Sequence, residues 1–208
     1  DIQAVNTLIP DIQNQWIGAN TDIEGFIIPL KDKNLTNKNV VVIGCGGSAR
    51  AVVMGLKSLN VKKITIFGRN EISLTIFIKN MKDLSSKSDV LIEGINNEKV
   101  NITPYIEEAD LIVNTTPIGM NNKKTDQESI PLGSQAWDSL SNNAILYDLI
   151  YTPRPTNWLK LGQRKKCLTI DGLDMLVEQG ALSIKLWSGF NNIPTHIMKS
   201  SAKKHLMV

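Results

Sequence analysis

Short apolar runs alternate with longer amphipathic segments over most of the chain. Residues 40–43 form a wholly apolar, β-branched run next to a glycine, which is typical of a strand buried on both faces of a parallel sheet. Apolar positions at helical spacing follow over 49–59. The same alternation predicts a second helix at 72–81 and further strands at 64–67, 90–92, 111–113, 145–147 and 168–170. Strands that alternate with helices predict a doubly wound α/β fold around a parallel sheet.

The two ends of this region differ from it. Residues 30–39 are polar and predict a linker into the first strand. Residues 173–187 and 194–204 predict two consecutive helices with no strand between them. We therefore expect these C-terminal helices to pack on something other than the parallel sheet.

A glycine-rich loop at positions 44–49 (Gly-Cys-Gly-Gly-Ser-Ala) directly follows the first strand and opens a helix. Gly44 has the conformational freedom that a sharp turn needs, and the missing Cβ at Gly46 lets a pyrophosphate reach backbone amides. The helix N-terminus offers free N–H groups and a partial positive charge to this anion. The pattern predicts a dinucleotide-binding loop, and a glycine-rich turn without a ligand is the alternative.

The residues after the second predicted strand distinguish NADP from NAD. NAD-dependent proteins place Asp or Glu there to bond the ribose 2′-hydroxyl, whereas this chain has Gly68, Arg69 and Asn70. The Arg69 guanidinium can make a two-pronged, charge-assisted contact with a 2′-phosphate. Glu71 lies past the turn. The pattern favours NADP, and a solvated surface arginine is the alternative.

Composition and charge exclude several functional classes. The chain has 208 residues and a formal net charge of +3 with scattered lysines, so neither a nucleic-acid partner nor a membrane surface is indicated. Two distant cysteines and two histidines near the C-terminus argue against a disulfide framework or a metal site. No apolar run approaches the roughly 20 residues needed to span a bilayer. We expect a cytoplasmic monomer or homodimer that binds no metal.

Six blocks, in one order across almost the whole chain, resemble the shikimate dehydrogenase family. They lie at 4–8, 18–26, 44–50, 114–120, 148–153 and 171–181. Members of this family reduce the ring ketone of 3-dehydroshikimate with NADPH, a step in aromatic amino acid biosynthesis. The resemblance implies an NADP-binding Rossmann domain over 23–171. It assigns residues 1–22 and the helices of 172–208 to an incomplete α/β substrate domain.

The resemblance also implies roles for individual residues. Asp22 would be the catalytic carboxylate, which in the family pairs with a lysine beside the reacting oxygen. Asn6, Asp22 and Gln179 would bond the ring hydroxyls of the substrate, and Tyr151 would border both substrate and nicotinamide. The implied NADP-binding residues are Gly44, Gly46, Gly47, Ser48, Ala49, Arg69, Thr115, Thr116, Leu149, Gly172 and Met175.

Five of these candidate residues also have a purely structural interpretation. Asn6 could be a turn residue, and Asp22 could be the N-cap of a helix that begins near residue 24. Tyr151 could be simple packing before a proline turn. Gln179 could be a solvated helix residue, and Met175 could belong to the core.

The chain departs from the family pattern in two places. The family's adenosine-phosphate motif has a second base a few positions after its arginine, but positions 71–74 carry none, so NADP preference is expected to be weaker and NAD use stays open. The family also carries its catalytic lysine and two carboxylate-binding hydroxyls ahead of the block at 4–8. Residues 1–208 do not include that segment, so we expect this chain alone to bind NADPH without useful turnover.

Three other functions are compatible with parts of the sequence. One is a quinate/shikimate dehydrogenase relative with relaxed cofactor use. Another is a non-catalytic NADP-binding module, since Rossmann domains serve many functions. A folate-pathway dehydrogenase fits the glycine-rich loop but not the block at 171–181.

Overall fold

The computed structural model describes residues 2–13, 15–84, 89–120 and 130–206. The chain begins with an antiparallel hairpin of β1 (Thr7–Pro10) and β2 (Trp16–Ala19), followed by α1 (Asp22–Ile27) and a 3₁₀ turn (Ile28–Leu30). The remaining strands are β3 (Asn39–Ile43), β4 (Lys63–Gly68), β5 (Leu91–Asn96), β6 (Leu111–Asn114), β7 (Ile145–Asp148) and β8 (Leu168–Ile170). The remaining helices are α2 (Gly47–Ser58), α3 (Glu71–Asp83), α4 (Thr103–Glu107), α5 (Ser134–Ser139), α6 (Asn157–Arg164), α7 (Leu173–Ser188) and α8 (Thr195–Leu206).

The strands β3 to β8 form one parallel sheet in the order β5-β4-β3-β6-β7-β8. The first strand of this sheet, β3, therefore lies near its middle. Strands β4 and β5 extend the sheet to one edge, and β6, β7 and β8 form the other half. This confirms the predicted doubly wound, Rossmann-like α/β fold. The strand order reverses between β3 and β6, and such a switch point leaves a crevice at the carboxyl ends of the strands.

The sheet has a hydrophobic core on each face. Side chains alternate along β3, so Val40 and Val42 join the core with α1, α2 and α3, while Val41 and Ile43 join the core with α4, α5 and α6. Both faces of β3 are thus covered. This explains why the run at 40–43 has no polar position.

The C-terminal helices pack mainly away from the sheet, as expected. Helix α7 contacts α1, the 3₁₀ turn and β1, and α8 packs on α7. The first turn of α7 nevertheless reaches the sheet, because Met175 belongs to the core that contains Phe26 and Tyr147. Phe26 stacks on Tyr147 with ring centroids 5.1 Å apart, so α1 links α7 to the sheet.

The structure differs from the sequence predictions in several places, among them helices α4, α5 and α6, which were not predicted. The hairpin of β1 and β2 was not predicted, because each strand has four residues and mostly exposed side chains. The linker at 30–39 is anchored rather than free, since Leu30 and Leu35 are buried. Strand β5 continues past the predicted 90–92 to Asn96, where Glu93 and Gly94 break the apolar pattern. None of the described helices is long and apolar enough to cross a membrane.

Candidate functional site

The glycine-rich loop joins the carboxyl end of β3 to the amino end of α2. Gly44 has a φ of 107°, and a Cβ at this position would lie 2.6 Å from Thr115 Oγ1, so the turn requires glycine. Gly46 is the N-cap of α2 and Gly47 is its first residue. A Cβ at either position would meet nothing within 4 Å. The loop therefore presents the amides of a helix N-terminus to open space, which suits a pyrophosphate.

A cleft of about 750 Å³ extends from this loop along the carboxyl edge of the sheet. Ser48 is exposed at the start of α2, whereas Ala49 is fully buried and can offer a ligand only its backbone N–H. The cleft is lined by the segments that follow β3, β4, β5 and β6, including Gly44, Cys45, Gly46, Arg69, Asn70, Ser73, Asn97, Thr115, Thr116 and Ile118. Its position at the switch point and its lining fit an extended dinucleotide.

Asn114 organises the segment that follows β6. Its side-chain oxygen accepts hydrogen bonds from Thr116 N (3.0 Å) and Thr116 Oγ1 (2.7 Å), and its amide donates to Ile118 O (3.1 Å) and Asp148 Oδ1 (3.0 Å). The hydroxyl of Thr115 donates to a carbonyl of β3 at 2.7 Å. The two threonines therefore line the cleft in a rigid segment, and their contact with a cofactor stays a prediction.

Asp148, at the end of β7, is fully buried. It accepts hydrogen bonds from Asn114, from Ile150 N (3.2 Å) and from Thr156 Oγ1 (2.8 Å). Burial raises the pKa of its carboxyl to about 6, and these hydrogen bonds oppose the rise only in part. Asp148 joins the segments after β6 and β7, a role that the sequence analysis did not assign. A lone acid at the end of an otherwise uncharged strand was the available signal.

Arg69 and the start of α3 form the other end of the cleft. Asn70 caps α3 by accepting a hydrogen bond from Ser73 N at 2.9 Å. Arg69 is exposed and lines the cleft, so its guanidinium is accessible to an anion. Glu71, the first residue of α3, forms an ion pair with Lys99. This ion pair was not anticipated from the sequence, because Lys99 lies in the loop after β5.

The segments that carry Leu149 and Gly172 meet where α7 begins. A Cβ on Gly172 would lie 2.0 Å from the carbonyl oxygen of Leu149, and Gly172 N donates to Ile150 O at 3.1 Å, so only glycine fits. Met175 is 7% exposed and occupies a core position, while Tyr151 is half-buried. The structure thus brings Leu149 and Gly172 together. Cofactor contacts of Gly172 and Met175 stay predictions.

Asn6, Asp22 and Gln179 come together in one polar cluster. Asn6 Nδ2 donates to Asp22 Oδ1 at 2.8 Å and to Thr21 Oγ1 at 3.0 Å. Thr21 Oγ1 donates to Gln179 Oε1 at 3.3 Å. Helix α1 begins at Asp22 with Thr21 as its N-cap, so the interpretation of Asp22 as the N-cap is wrong. Among the described residues, Tyr151 forms no hydrogen bond with this cluster.

Burial also affects the chemistry of Asp22. It raises the pKa of this carboxyl, and the hydrogen bond from Asn6 opposes the rise. A carboxyl with a raised pKa is better matched to proton exchange near neutral pH than an exposed one. The ionised Asp22 carboxylate can accept a hydrogen bond from a ligand hydroxyl, and the protonated form can donate one.

Three buried hydroxyls beneath the cluster were missed in the sequence analysis. Ser183 Oγ lies 2.9 Å from Thr7 Oγ1 and 3.1 Å from Thr21 Oγ1, and it donates to Gln179 O at 3.0 Å. Ser183 is four residues after Gln179 and therefore shares its helix face. That spacing, together with threonines next to Asn6 and Asp22, was the available signal. The hydroxyls fix α7 against the hairpin and so position Gln179.

The described residues contain no group of three His, Cys, Asp or Glu side chains arranged to hold a metal ion.

Comparisons with known proteins give matches over part and over nearly all of this chain. The family model for the shikimate 5′-dehydrogenase C-terminal domain matches residues 172–203. The shikimate dehydrogenase (NADP(+)) of Prochlorococcus marinus strain MIT 9515 is 50% identical over 205 residues, which cover 99% of this chain and 70% of that protein.

Two solved structures have the same fold. The shikimate 5-dehydrogenase of Thermus thermophilus, in complex with NADP(H) and shikimate, is 26% identical with a TM-score of 0.76, and the match covers 99% of this chain and 69% of that one. The enzyme of Listeria monocytogenes, in complex with shikimate and NAD, is 26% identical with a TM-score of 0.82, and the match covers 97% and 68%. The identity to the Prochlorococcus protein over nearly the whole chain shows that this chain belongs to the shikimate dehydrogenase family.

Proposed function

We propose that this chain serves the NADP-dependent reduction of 3-dehydroshikimate to shikimate. The observation that carries the proposal is the convergence of Asn6, Asp22 and Gln179, from two ends of the chain, into one polar cluster. A polyhydroxylated ring needs such donors and acceptors, because a buried hydroxyl without a partner costs about 1–3 kcal/mol. NADPH supplies the hydride when bound.

The cofactor would occupy the cleft at the carboxyl edge of the sheet. The pyrophosphate would meet the amides of 46–49, where open space adjoins the N-terminus of α2. Arg69 would pair with the 2′-phosphate. Thr115 and Thr116 would face the ribose and nicotinamide side with Leu149, Gly172 and Met175.

The substrate would bind at the polar cluster. Asn6 orients the Asp22 carboxylate through a bond of 2.8 Å, so Asp22 can accept a hydrogen bond from a ring hydroxyl and hold a proton near the reacting oxygen. Gln179 would contact a second hydroxyl from α7. Tyr151 would border the substrate from the segment after β7.

We propose that residues 1–22 and 172–208 belong to the substrate-binding part and residues 23–171 to the NADP-binding domain. Helix α1 supports this division, because it contacts both α2 and α7 where the two parts meet. Both cysteines are free thiols, which suits the reducing cytoplasm. The proposed assembly is a monomer or a homodimer.

Calorimetric titrations test the function in two steps. NADPH and NADH are titrated first, and shikimate and quinate are then titrated into the NADP⁺ complex. We expect NADPH to bind more tightly than NADH. Shikimate should bind the wild-type chain, and it should bind the Asn6→Ala variant about tenfold more weakly. Asn142→Ala is the matched control, since Asn142 is exposed near the amino end of β7.

Each outcome decides between the alternatives. Failure of NADPH to bind would overturn the cofactor assignment. NADPH binding without any shikimate binding would show that residues 1–208 alone do not form the substrate site, and a non-catalytic NADP-binding module would then stand beside the proposed function. Tighter binding of quinate than of shikimate would favour a quinate-preferring enzyme. The expectation that residues 1–208 alone give no useful turnover is checked by following NADPH oxidation with 3-dehydroshikimate.

A further inference from the structure

The loop after β5 lies against the end of the cleft that holds Arg69. Strands β4 and β5 are parallel neighbours with Gly68 paired to Asn96, so the residues that follow them emerge at the same edge of the sheet. Asn97 N donates to Gly68 O at 3.3 Å, and Asn96 Nδ2 donates to Arg69 O at 3.1 Å. These bonds hold the two loops together in one wall of the cleft.

Lys99 brings a positive charge to the loop after β5, directly after Glu98, which lines the cleft. Its ammonium pairs with the carboxylate of Glu71, and both side chains are about two-thirds exposed. The hydrogen bond between them raises the pKa of Lys99 and lowers the pKa of Glu71, so both groups are charged at neutral pH. Arg69 precedes Glu71 by two residues. The start of α3 is therefore flanked by Arg69 on one loop and Lys99 on the other.

An acidic residue at this position opposes a 2′-phosphate. A carboxylate near the end of the second strand of such a sheet favours the ribose 2′-hydroxyl of NAD and repels the dianionic phosphate of NADP. Glu71 would have this effect if it were unpaired. Positions 72–74 (Ile-Ser-Leu) provide no base to offset it, whereas the ammonium of Lys99 does.

We propose that Lys99 is the second cation of the 2′-phosphate site and that its pairing with Glu71 sets the preference for NADP over NAD. Lys99 neutralises Glu71 in the free protein and faces the phosphate when NADPH is bound. Glu71 competes with the phosphate for Lys99, so NADP selection is weaker than two unpaired bases would give. The inference rests on the proposed function only because it needs a nicotinamide dinucleotide in the cleft.

Calorimetric titration of NADPH and NADH into a set of variants tests this role. Lys99→Gln should weaken NADPH binding about tenfold without weakening NADH binding, since it leaves Glu71 without its cation. Lys99→Arg should retain the preference. Glu71→Gln should tighten NADPH binding about threefold, because Lys99 is released to the phosphate. Lys62→Gln is the control, since exposed Lys62 directly precedes β4 at the opposite edge and carries the same charge.

The outcomes separate this inference from the proposed function. If wild type binds NADPH and Lys99→Gln binds it equally well, the role of Lys99 is refuted and the proposed function stands. Equal losses of NADPH and NADH affinity in Lys99→Gln would also refute it, since they would show a structural role. Adenosine 2′,5′-bisphosphate and AMP repeat the comparison without the nicotinamide half. Absence of NADPH binding to wild type would count against the proposed function itself.

Discussion

Replacing Asp148 with asparagine should make the stability of the protein less dependent on pH. The side chain is fully buried between the segments that follow β6 and β7. An asparagine whose carbonyl oxygen faces Asn114 and Ile150 keeps both of those hydrogen bonds, and its amide can donate to Thr156. The substitution therefore removes the ionisable group while keeping shape and most of the bonding.

The magnitude follows from the raised pKa of Asp148. Its carboxyl has an ordinary pKa of 3.8 and a pKa of about 6 in the folded protein. The folded state therefore binds the proton more tightly than the unfolded state. The resulting stability is fully present below pH 3.8 and is lost as pH rises through about 6. A rise of about two pKa units corresponds to about 3 kcal/mol, of which about 2–3 kcal/mol is lost between about pH 4 and pH 8.

Urea unfolding followed by circular dichroism over this pH range measures the effect. The free energy of unfolding of Asp148→Asn, minus that of wild type, should increase by about 2–3 kcal/mol from about pH 4 to pH 8. The subtraction cancels the contributions of other titrating groups. Asp138→Asn is the matched control, because Asp138 is exposed on α5. Its curve should run parallel to that of wild type.

Two results would refute the reasoning. If the curves of Asp148→Asn and wild type run parallel over the whole range, burial of Asp148 does not raise its pKa. A difference that grows toward low pH would mean that the hydrogen bonds outweigh burial and lower the pKa instead.

Further predictions concern two pairs of glycine positions and the phosphate site. Gly44→Ala should lower the free energy of unfolding by about 2 kcal/mol, because φ is 107° and the methyl would lie 2.6 Å from a threonine oxygen. Gly46→Ala, whose methyl meets nothing within 4 Å, should leave the urea midpoint unchanged but weaken NADPH binding; a shifted midpoint would contradict this. Gly25→Ala should cost about 1–3 kcal/mol in urea unfolding, because its Cβ would lie 2.9 Å from atoms of α7. Gly180→Ala, at a half-buried interior position of α7 where the methyl would meet only Met198 Cε, at 3.7 Å, should instead add about 0.5–1 kcal/mol, and equal effects of these two would be inconsistent with close packing of α1 on α7. Arg69→Gln should weaken NADPH binding about tenfold in calorimetry without changing NADH binding, and an equal loss for both would exclude a 2′-phosphate contact.

The sequence was sufficient for those features that depend on local patterns. Strand β3 is recognisable because both faces of a central parallel strand are buried, which leaves no polar position at 40–43. The turn at Gly44 is recognisable because its left-handed φ restricts the position to glycine. The hairpin of β1 and β2 was not recognisable, since its short strands are held by pairing with each other and by contact of β1 with α7.

By itself, the sequence determined the fold class, the dinucleotide loop and the family, because each follows from residue types at short spacing or from blocks in a fixed order. Only the tertiary structure placed Asn6 and Asp22 against Gln179, and Lys99 against Glu71. It also showed that burial raises the pKa of Asp148. The physical reason is that hydrogen bonds, ion pairs and desolvation act through space between residues far apart in the chain, so they depend on how helices and strands pack rather than on local sequence.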